Sequence, residues 1–382
     1  MSKLLRELRP VYVVGIGWHR YQNPSETSYV TLGLTAIRAA LADAHIEWPV
    51  VESTYIGTAL LGMAAGRAML KHLGASGRPL VHVENASASG SAAFRHACIE
   101  VAAGISDVVL AVGCDKRNPV VRGFTRTGID NLADDAIVPF THFALLTNEY
   151  ATRHRVKPED IALVAVKNHG NGAKNPNAQR QKARTLEEVL AGKPIAGTLT
   201  ALQCCPVGEG AAAVIVASAD AIKRYGIDAS RAIRVASSAA ASERPVSASD
   251  ADATLTRETI QRALHEAQIT ADDLDVLEIH DAFTIEELLY TEAAGLCPEG
   301  AAVHALKAGE FDIGGRCAVS ASGGLIAMGH PIGPTGIGQI AEITLQLRRE
   351  AGPRQQPNAR TGLAHMVGLG SVCYAHVLQR DS

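Results

Sequence analysis

The residues of this sequence best suited to chemistry surround His330. It lies between Gly329 and Pro331 in a glycine-rich stretch, and an apolar, helix-like segment follows from Ile337. A glycine-rich turn that opens a helix brings backbone N–H groups and a side chain to one exposed point. Such a point suits a site where negative charge develops on an oxygen atom. We therefore treat residues 322–336 as a candidate active-site loop.

Short apolar runs alternate with amphipathic segments in the first part of the chain. Residues 11–17, 51–57 and 107–113 have the Val, Ile and Leu content of buried strands, with a turn expected at the end of the first run. Residues 29–45 and 89–103 have helical periodicity. This alternation favours an α/β fold built from layers of helices and strands.

The same plan recurs later in the chain. Residues 40–46 resemble residues 263–269, and each segment precedes a predicted strand. Residues 87–91 (Ser-Ala-Ser-Gly-Ser) resemble residues 320–324 (Ser-Ala-Ser-Gly-Gly), and each leads towards a helix. The two offsets, 223 and 233 positions, are similar, which indicates a duplicated unit.

Two segments between the halves have a different composition. Residues 117–140 are irregular and charged, and residues 168–193 are polar. We expect these segments to run as loops over the active face and to carry substrate specificity.

Composition excludes several classes of protein. The chain has 382 residues, 47% of them hydrophobic, which allows a large core in two or more packed units. The formal net charge is −3 and no basic run occurs, so nucleic acid and anionic membranes are not expected partners. We expect no metal site, because no cluster of metal-ligating residues is visible.

Sequence features bearing on location point to the cytoplasm. Residues 1–9 are charged and do not form a signal sequence, and no apolar stretch reaches the length of a membrane span. The seven cysteines are an odd number without a CxxC pair, so we expect free thiols in a reducing compartment. The adjacent Cys204 and Cys205 are expected to act as small buried side chains.

Motifs along the whole chain resemble the thiolase superfamily, and most of all the sterol carrier protein-type thiolases. The matching stretches are 85–93, 202–206, 210–213, 278–283, 295–300 and 322–336. The resemblance implies two similar α/β halves stacked in five layers, α-β-α-β-α. It divides the chain into an N-terminal half, 1–228, with an inserted loop domain at about 117–200, and a C-terminal half, 229–382.

Three residues acquire roles through this resemblance. His330, in Gly-His-Pro, matches the histidine that activates the nucleophile and helps to bind an oxyanion. His280, in His-Asp-Ala-Phe, matches the residue that lines the oxyanion site for the thioester carbonyl. Gly368 would lend its backbone N–H to a second oxyanion hole. A lone histidine is as often a satisfied core residue, but both stand in matching motifs.

The family's nucleophilic cysteine is replaced by Ser87. A serine hydroxyl is far less acidic than a thiol, so the dipole of a helix does not ionise it. Relatives carry a further cysteine at one of two other positions, but this chain has Ala282 and Met366 there. No cysteine therefore occupies a position that the family uses for catalysis.

Four explanations of Ser87 are open. It is an engineered Cys→Ser change in a working thiolase, or the chain is a retro-aldolase that needs no acyl-enzyme. Otherwise Ser87 itself is acylated, or the chain is a non-catalytic acyl-CoA-binding or scaffold subunit. Both histidines would serve the first two alternatives by stabilising an enolate, so we favour these. Tyr290 or Tyr374 could act as an accessory acid in the aldolase.

The sequence thus predicts an enzyme directed at carbon–carbon bonds of acyl-CoA thioesters. As a thiolase it would act on 3-oxoacyl-CoA with coenzyme A as co-substrate and no covalently bound cofactor, in lipid or aromatic degradation. As an aldolase it would split a β-hydroxyacyl-CoA. The family further implies a homodimer, and in some relatives a small partner subunit with an OB-fold and a zinc ribbon.

Overall fold

One mixed sheet of ten strands dominates the computed structural model, which describes residues 4–117, 139–244, 251–369 and 371–381. Its strands are β1 (Val11–Gln22), β2 (Ser53–Gly57), β3 (Leu80–Val83), β4 (Val108–Asp115), β7 (Glu209–Ser218), β8 (Ile233–Ser242), β9 (Val276–Glu278), β10 (Ala318–Val319), β11 (Thr361–Gly368) and β12 (Val372–Gln379). A separate pair consists of β5 (Pro194–Ala196) and β6 (Leu199–Thr200).

The helices have recognisable sequence signals at their ends. They are α1 (Tyr29–Asp43), α2 (Ala65–Leu70), α3 (Ser89–Ala102), α4 (Pro139–His154), α5 (Pro158–Gly172), α6 (Leu186–Leu190), α7 (Ala219–Tyr225), α8 (Ala251–Ala267), α9 (Thr284–Ala294), α10 (Ala302–Lys307), α11 (Gly324–Ala327) and α12 (Thr335–Arg348). The Ser28 hydroxyl, for example, caps α1 by accepting from the Thr31 N–H. Gly226 ends α7 with a left-handed φ of 66°.

The strand order confirms the duplication. The first five strands lie in the order β3-β2-β4-β7-β1, and the other five repeat it as β10-β9-β11-β12-β8. In each set the first three strands run parallel to one another, and the fourth strand pairs antiparallel with both the third and the fifth. The sets meet where Tyr12 and Val13 of β1 pair with Arg234 and Ile233 of β8. As predicted, α1 and α8 occupy equivalent positions before β2 and β9.

A central helical layer separates the two halves of the sheet. Phe94 of α3 and Ile337 and Ile340 of α12 are fully buried in one cluster with Val214 of β7 and Leu378 of β12. That cluster therefore contains strands of both halves. Burying each such side chain stabilises the fold by roughly 1.5–3 kcal/mol.

Two outer helical layers complete the architecture. Leu32 of α1 is buried with Leu110 of β4 on one side of the molecule. On the other side, Ile260 of α8 and Ile285 of α9 are buried with Val377 of β12. The layers thus run α-β-α-β-α, which confirms the predicted five-layer α/β fold.

Two expectations about segments were wrong. The turn predicted at the end of residues 11–17 does not form, because Trp18 and His19 continue the pairing of β1 with β7. The polar stretch 168–193 is not one loop, since it begins inside α5 and contains α6. Most of the irregular stretch 117–140 lies outside the described residues. The division into 1–228 and 229–382 remains a prediction.

Candidate active site

Ser87 lies in a tight turn between β3 and α3. The turn is closed by two backbone bonds, from Ala88 N to Asn85 O at 2.9 Å and from Ser89 N to Ala86 O at 3.1 Å. Ala86 takes a left-handed φ of 48°, which turns the chain sharply before Ser87. The half-buried Ser87 therefore stands just before the N-terminus of α3, where the helix dipole favours negative charge.

The structure brings Ser87 and His330 together although they are far apart in the sequence. Their Oγ and Nε2 atoms are 3.0 Å apart, within hydrogen-bonding distance. The prediction that the histidine side chain is exposed is wrong, because only 8% of His330 is accessible. Its loop packs between backbone segments of the first half, and α12 begins only at Thr335.

Close backbone contacts fix the path of residues 322–336, the histidine loop. Asp115 at the end of β4 accepts from Gly333 N at 2.6 Å, and the Tyr21 hydroxyl donates to Pro334 O at 2.9 Å. A Cβ atom on Gly90 would lie 2.4 Å from the carbonyl oxygen of Gly333. The glycine content of this stretch therefore permits an approach that any side chain would prevent.

The hydrogen bonds of His330 determine which ring nitrogen holds its proton. Thr335 Oγ1 donates its only proton to Pro331 O at 2.6 Å, so it accepts from His330 Nδ1 at 2.9 Å. The bare Nε2 atom then accepts from Ser87. Burial, with a smaller contribution from the nearby His280, holds the pKa of His330 well below its ordinary value.

His280 faces the same point with a carboxylate behind it. Its Nδ1 atom lies 2.8 Å from Glu286 Oε1, and Glu286 also accepts from Phe283 N at 2.9 Å and the Tyr290 hydroxyl at 3.3 Å. The His280 and His330 rings meet edge-to-face with centroids 5.4 Å apart. Among the described residues, His280 Nε2 is buried without a hydrogen-bond partner. Such an atom is available to a ligand.

Asp281 anchors the segment that carries His280. Its fully buried carboxylate accepts from Asn168 Nδ2 at 2.6 Å, from Leu325 N at 2.6 Å and from Ser320 Oγ at 3.3 Å. These donors come from α5, from α11 and from the turn at Ser320 that precedes α11. The carboxylate thus ties three segments of the active site to one another.

The polar face of α5 points inward and continues this support. Asn171 and Asn175 donate from Nδ2 to the backbone oxygens of Ser320 at 3.2 Å and Ser322 at 2.8 Å. Asn168 and Asn171 lie on α5 and Asn175 follows its end, and all three amides are buried. The polarity that suggested a loop in the sequence therefore reflects hydrogen bonds inside the protein.

Gly368 and Tyr374 lie beside the serine turn. A Cβ atom on Gly368 would stand 2.3 Å from Asn85 O, so only glycine lets β11 approach the turn this closely. Asn85 Nδ2 donates to the Tyr374 hydroxyl at 3.1 Å, and Tyr374 pairs with Met366 across β11 and β12. Gly368 is thus placed near Ser87, while its oxyanion role remains a proposal.

Five of the seven cysteines are buried, and Cys205 and Cys297 are partly buried. All are free, and burial raises the pKa of each above its ordinary value. The value reaches about 12 for Cys204, Cys205, Cys297, Cys317 and Cys373. Ala282 and Met366 are buried and apolar. None of these cysteines provides a thiolate near neutral pH.

Sequence reasoning missed Glu286 and Thr335, the two partners behind the histidines. Glu286 is the third residue of α9 and accepts from the N–H of Phe283 at the N-cap, so a glutamate near a predicted helix start is the signal that could have found it. Thr335 is the first residue of α12 and could have been found as a hydroxyl at a helix start. Neither signal by itself indicates contact with a histidine.

Comparison with known proteins identifies the family. Residues 19–186 match the family model "Thiolase, N-terminal domain", and residues 237–380 match "Thiolase C-terminal domain-like". Sterol carrier protein 2 of Gallus gallus is 36% identical over 95% of this chain and 70% of its own length. This chain belongs to the thiolase family. The predicted superfamily and the expectation of an enzyme directed at acyl-CoA are thereby confirmed.

Two further known proteins are similar to this chain over nearly its full length. Benzoylsuccinyl-CoA thiolase subunit BbsB of Thauera aromatica is 35% identical over 95% of both chains. The solved structure of an Ltp2–ChsH2(DUF35) aldolase covers 97% of this chain and 98% of its own, with a TM-score of 0.82 at 22% identity. Within the described residues, no helix is both long and apolar enough to cross a membrane.

Proposed function

We propose that this chain is a thiolase-like retro-aldolase that splits a β-hydroxyacyl-CoA into a carbonyl compound and a shorter acyl-CoA. The observation that carries the proposal is the composition of its site. His330 Nε2 lies 3.0 Å from Ser87 Oγ, the His280 ring meets the His330 ring with centroids 5.4 Å apart, and burial raises the pKa of all seven free cysteines. A base and an oxyanion site suffice for a retro-aldol cleavage, whereas thiolysis also needs a nucleophile.

In the proposed reaction a base removes the proton of the β-hydroxyl group. The bond between Cα and Cβ breaks, its electron pair moves into the thioester enolate, and Cβ becomes a carbonyl carbon. A proton then returns to Cα and yields the acyl-CoA. Water, metal and coenzyme A are not consumed, so atoms and charge balance within substrate and protein.

Donors near the serine turn would stabilise the enolate oxygen. The N-terminus of α3 favours negative charge, and we propose that the N–H of Gly368, which packs against Asn85 of the turn, contributes as well. The Ser87 hydroxyl donates a hydrogen bond to His330 Nε2. In this proposal Ser87 orders the site and takes no acyl group.

Acyl transfer is the second candidate function. The 3.0 Å contact between Ser87 Oγ and a bare His330 Nε2 is the geometry of an activated serine. An acyl-serine could then be formed from a 3-oxoacyl-CoA and released to coenzyme A. The similarity to a benzoylsuccinyl-CoA thiolase subunit supports this candidate. In the part of the chain that the structure describes, a hydroxyl and not a carboxylate lies behind His330, which weakens this candidate.

The two candidates differ in substrate, which gives a direct test. We expect the unaltered chain to split members of a β-hydroxyacyl-CoA panel and Ser87→Ala to keep that activity within about tenfold, because no acyl-enzyme forms. We expect no thiolysis of 3-oxoacyl-CoA by the unaltered chain or by Ser87→Cys. Thiolysis gained by Ser87→Cys, without β-hydroxyacyl-CoA cleavage, would identify a thiolase whose nucleophile has been replaced.

We also propose a homodimer formed along β3. This strand is an edge of the sheet, Val81 on it is 42% exposed, and the exposed Leu60 and Met63 precede it in the chain. Light scattering is expected to give twice the chain mass of 40.1 kDa. Val81→Lys is expected to shift the measured mass towards that of a single chain. A monomeric unaltered chain would disprove this arrangement.

A small OB-fold and zinc-ribbon subunit is a further proposed partner. The similar aldolase structure joins Ltp2 with ChsH2(DUF35), which supports a comparable assembly here. Native mass spectrometry of the complex from its source cells tests this.

The seven free cysteines support the proposal of a reducing, cytoplasmic compartment.

A further inference from the structure

The two histidines of the site differ in the group behind Nδ1. His330 rests on the neutral hydroxyl of Thr335, whereas His280 rests on the carboxylate of Glu286, at 2.9 Å and 2.8 Å. A neutral hydroxyl orients an imidazole but gives little stabilisation to its charged form. A carboxylate orients the ring and also stabilises the imidazolium that forms when Nε2 takes a proton.

Several hydrogen-bond donors surround Glu286. Its side chain is buried, and it accepts from Phe283 N, the Tyr290 hydroxyl and His280 Nδ1. It also lies in the first turn of α9, where the helix dipole favours a negative charge. These donors orient the carboxylate and compensate for its removal from water.

We propose that Glu286 is a positioning residue that makes His280 the proton acceptor of the reaction. This inference rests on the proposed retro-aldol function and names the base that the function requires. Glu286 accepts from Nδ1, which leaves the lone pair of Nε2 directed into the site. The β-hydroxyl proton of the substrate passes to Nε2 as the bond between Cα and Cβ breaks.

Taking up this proton changes His280 from an acceptor into a donor. The imidazolium Nε2–H then faces the enolate as negative charge develops on it, and Glu286 balances the new positive charge. The same proton can return to Cα of the enolate to give the acyl-CoA. One histidine therefore removes and delivers the proton, and the carboxylate remains ionised throughout.

The neighbouring histidines do not compete for the proton. His330 meets His280 edge-to-face, and His365 Nδ1 lies 3.5 Å from the backbone N of His280. Burial, with a smaller contribution from His280, holds the pKa of both neighbours well below the ordinary value. Of these three imidazoles, only His280 has a carboxylate within hydrogen-bonding distance in the described structure.

The test is Glu286→Gln, which keeps the shape of the side chain and removes its charge. We expect kcat for β-hydroxyacyl-CoA cleavage to fall about 100- to 1,000-fold with KM changed less than about threefold. A matched control is Glu292→Gln on the same helix, since Glu292 contacts Tyr150 and Ala302 instead of a histidine. Glu286→Asp keeps the charge and is expected to retain more activity than the glutamine variant.

A second readout separates this inference from the proposed function. Exchange of the α-protons of propionyl-CoA in D2O, followed by NMR, needs the same base but no carbon–carbon cleavage. We expect Glu286→Gln to slow exchange by the same factor as cleavage. If the unaltered chain exchanges protons without cleaving, the retro-aldolase proposal fails and exchange alone decides the role of Glu286.

Several results would overturn the inference. A glutamine variant as fast as the Glu292→Gln control in both assays would show that the carboxylate has no part in proton transfer. If Glu286→Gln does not fold, a folded Glu286→Ala variant with unchanged kcat would have the same meaning, because it also lacks the carboxylate. An unaltered chain that neither exchanges nor cleaves would disprove both the base and the function.

Discussion

Replacing His280 with alanine is expected to lower kcat for β-hydroxyacyl-CoA cleavage about 1,000- to 10,000-fold. The reason is the loss of the proposed base, whose contribution to a proton-transfer step is of this size. His330→Ala is expected to cost less, about 10- to 100-fold, because His330 orients Ser87 and has no carboxylate to stabilise a positive charge. Steady-state kinetics of the two variants measures both effects.

The same variants separate an enzyme from an acyl-CoA-binding subunit. Acyl-CoA affinity, measured by calorimetry, is expected to change only severalfold in each, because most of the ligand contacts lie outside the two imidazoles. An exposed histidine, His72, provides the control substitution. A chain that binds acyl-CoA and turns over no thioester, with or without the histidines, would instead be a binding or scaffold subunit.

Asp281→Ala is expected to lower the free energy of unfolding by about 3–5 kcal/mol. The change leaves the buried Asn168 amide and the Leu325 N–H without their acceptor, and burying unpaired polar groups is costly. Urea denaturation followed by circular dichroism measures the loss. Because the carboxylate joins α5 to the loop that precedes α11, we also expect this variant to cleave β-hydroxyacyl-CoA more slowly than the unaltered chain.

Asp281→Asn provides a graded comparison. The asparagine amide would face the Asn168 amide, so one donor would oppose another, while the bond from Leu325 N could persist. A loss of about 1–3 kcal/mol is therefore expected, between the unaltered chain and the alanine variant. Equal stability of all three proteins would show that this carboxylate does not hold the site together.

The sequence predicted the layers well because local patterns determine them. The runs that became β2 and β4 are short and apolar, and the paired segments 40–46 and 263–269 recur at one place in each half. Gly-His-Pro and the serine turn were identified through resemblance, and their side chains meet in space. These features depend on composition, periodicity and a known motif.

Contacts between distant segments were not predictable in the same way. The inward face of α5 was interpreted as a loop, because a polar helix face that binds buried carbonyl oxygens has the composition of a surface segment. The length of β1 depends on β7, almost 200 residues later. Glu286 is close to His280 in sequence, but only the turn through Asp281 and the start of α9 bring them together.

The duplicated fold has two copies of the sharp turn, and only the first copy lies at the candidate active site. Ala86 and Ser320 share the left-handed backbone and the following backbone bond, so Ser87 corresponds to Ala321, one position from the match inferred from sequence. Ala321 is fully buried, and amides of α5 cover its turn. The second turn acts as support instead, because the Ser320 hydroxyl donates to Asp281 beside His280. A directed-evolution experiment that seeks a second reaction centre there would have to dismantle the support of the first.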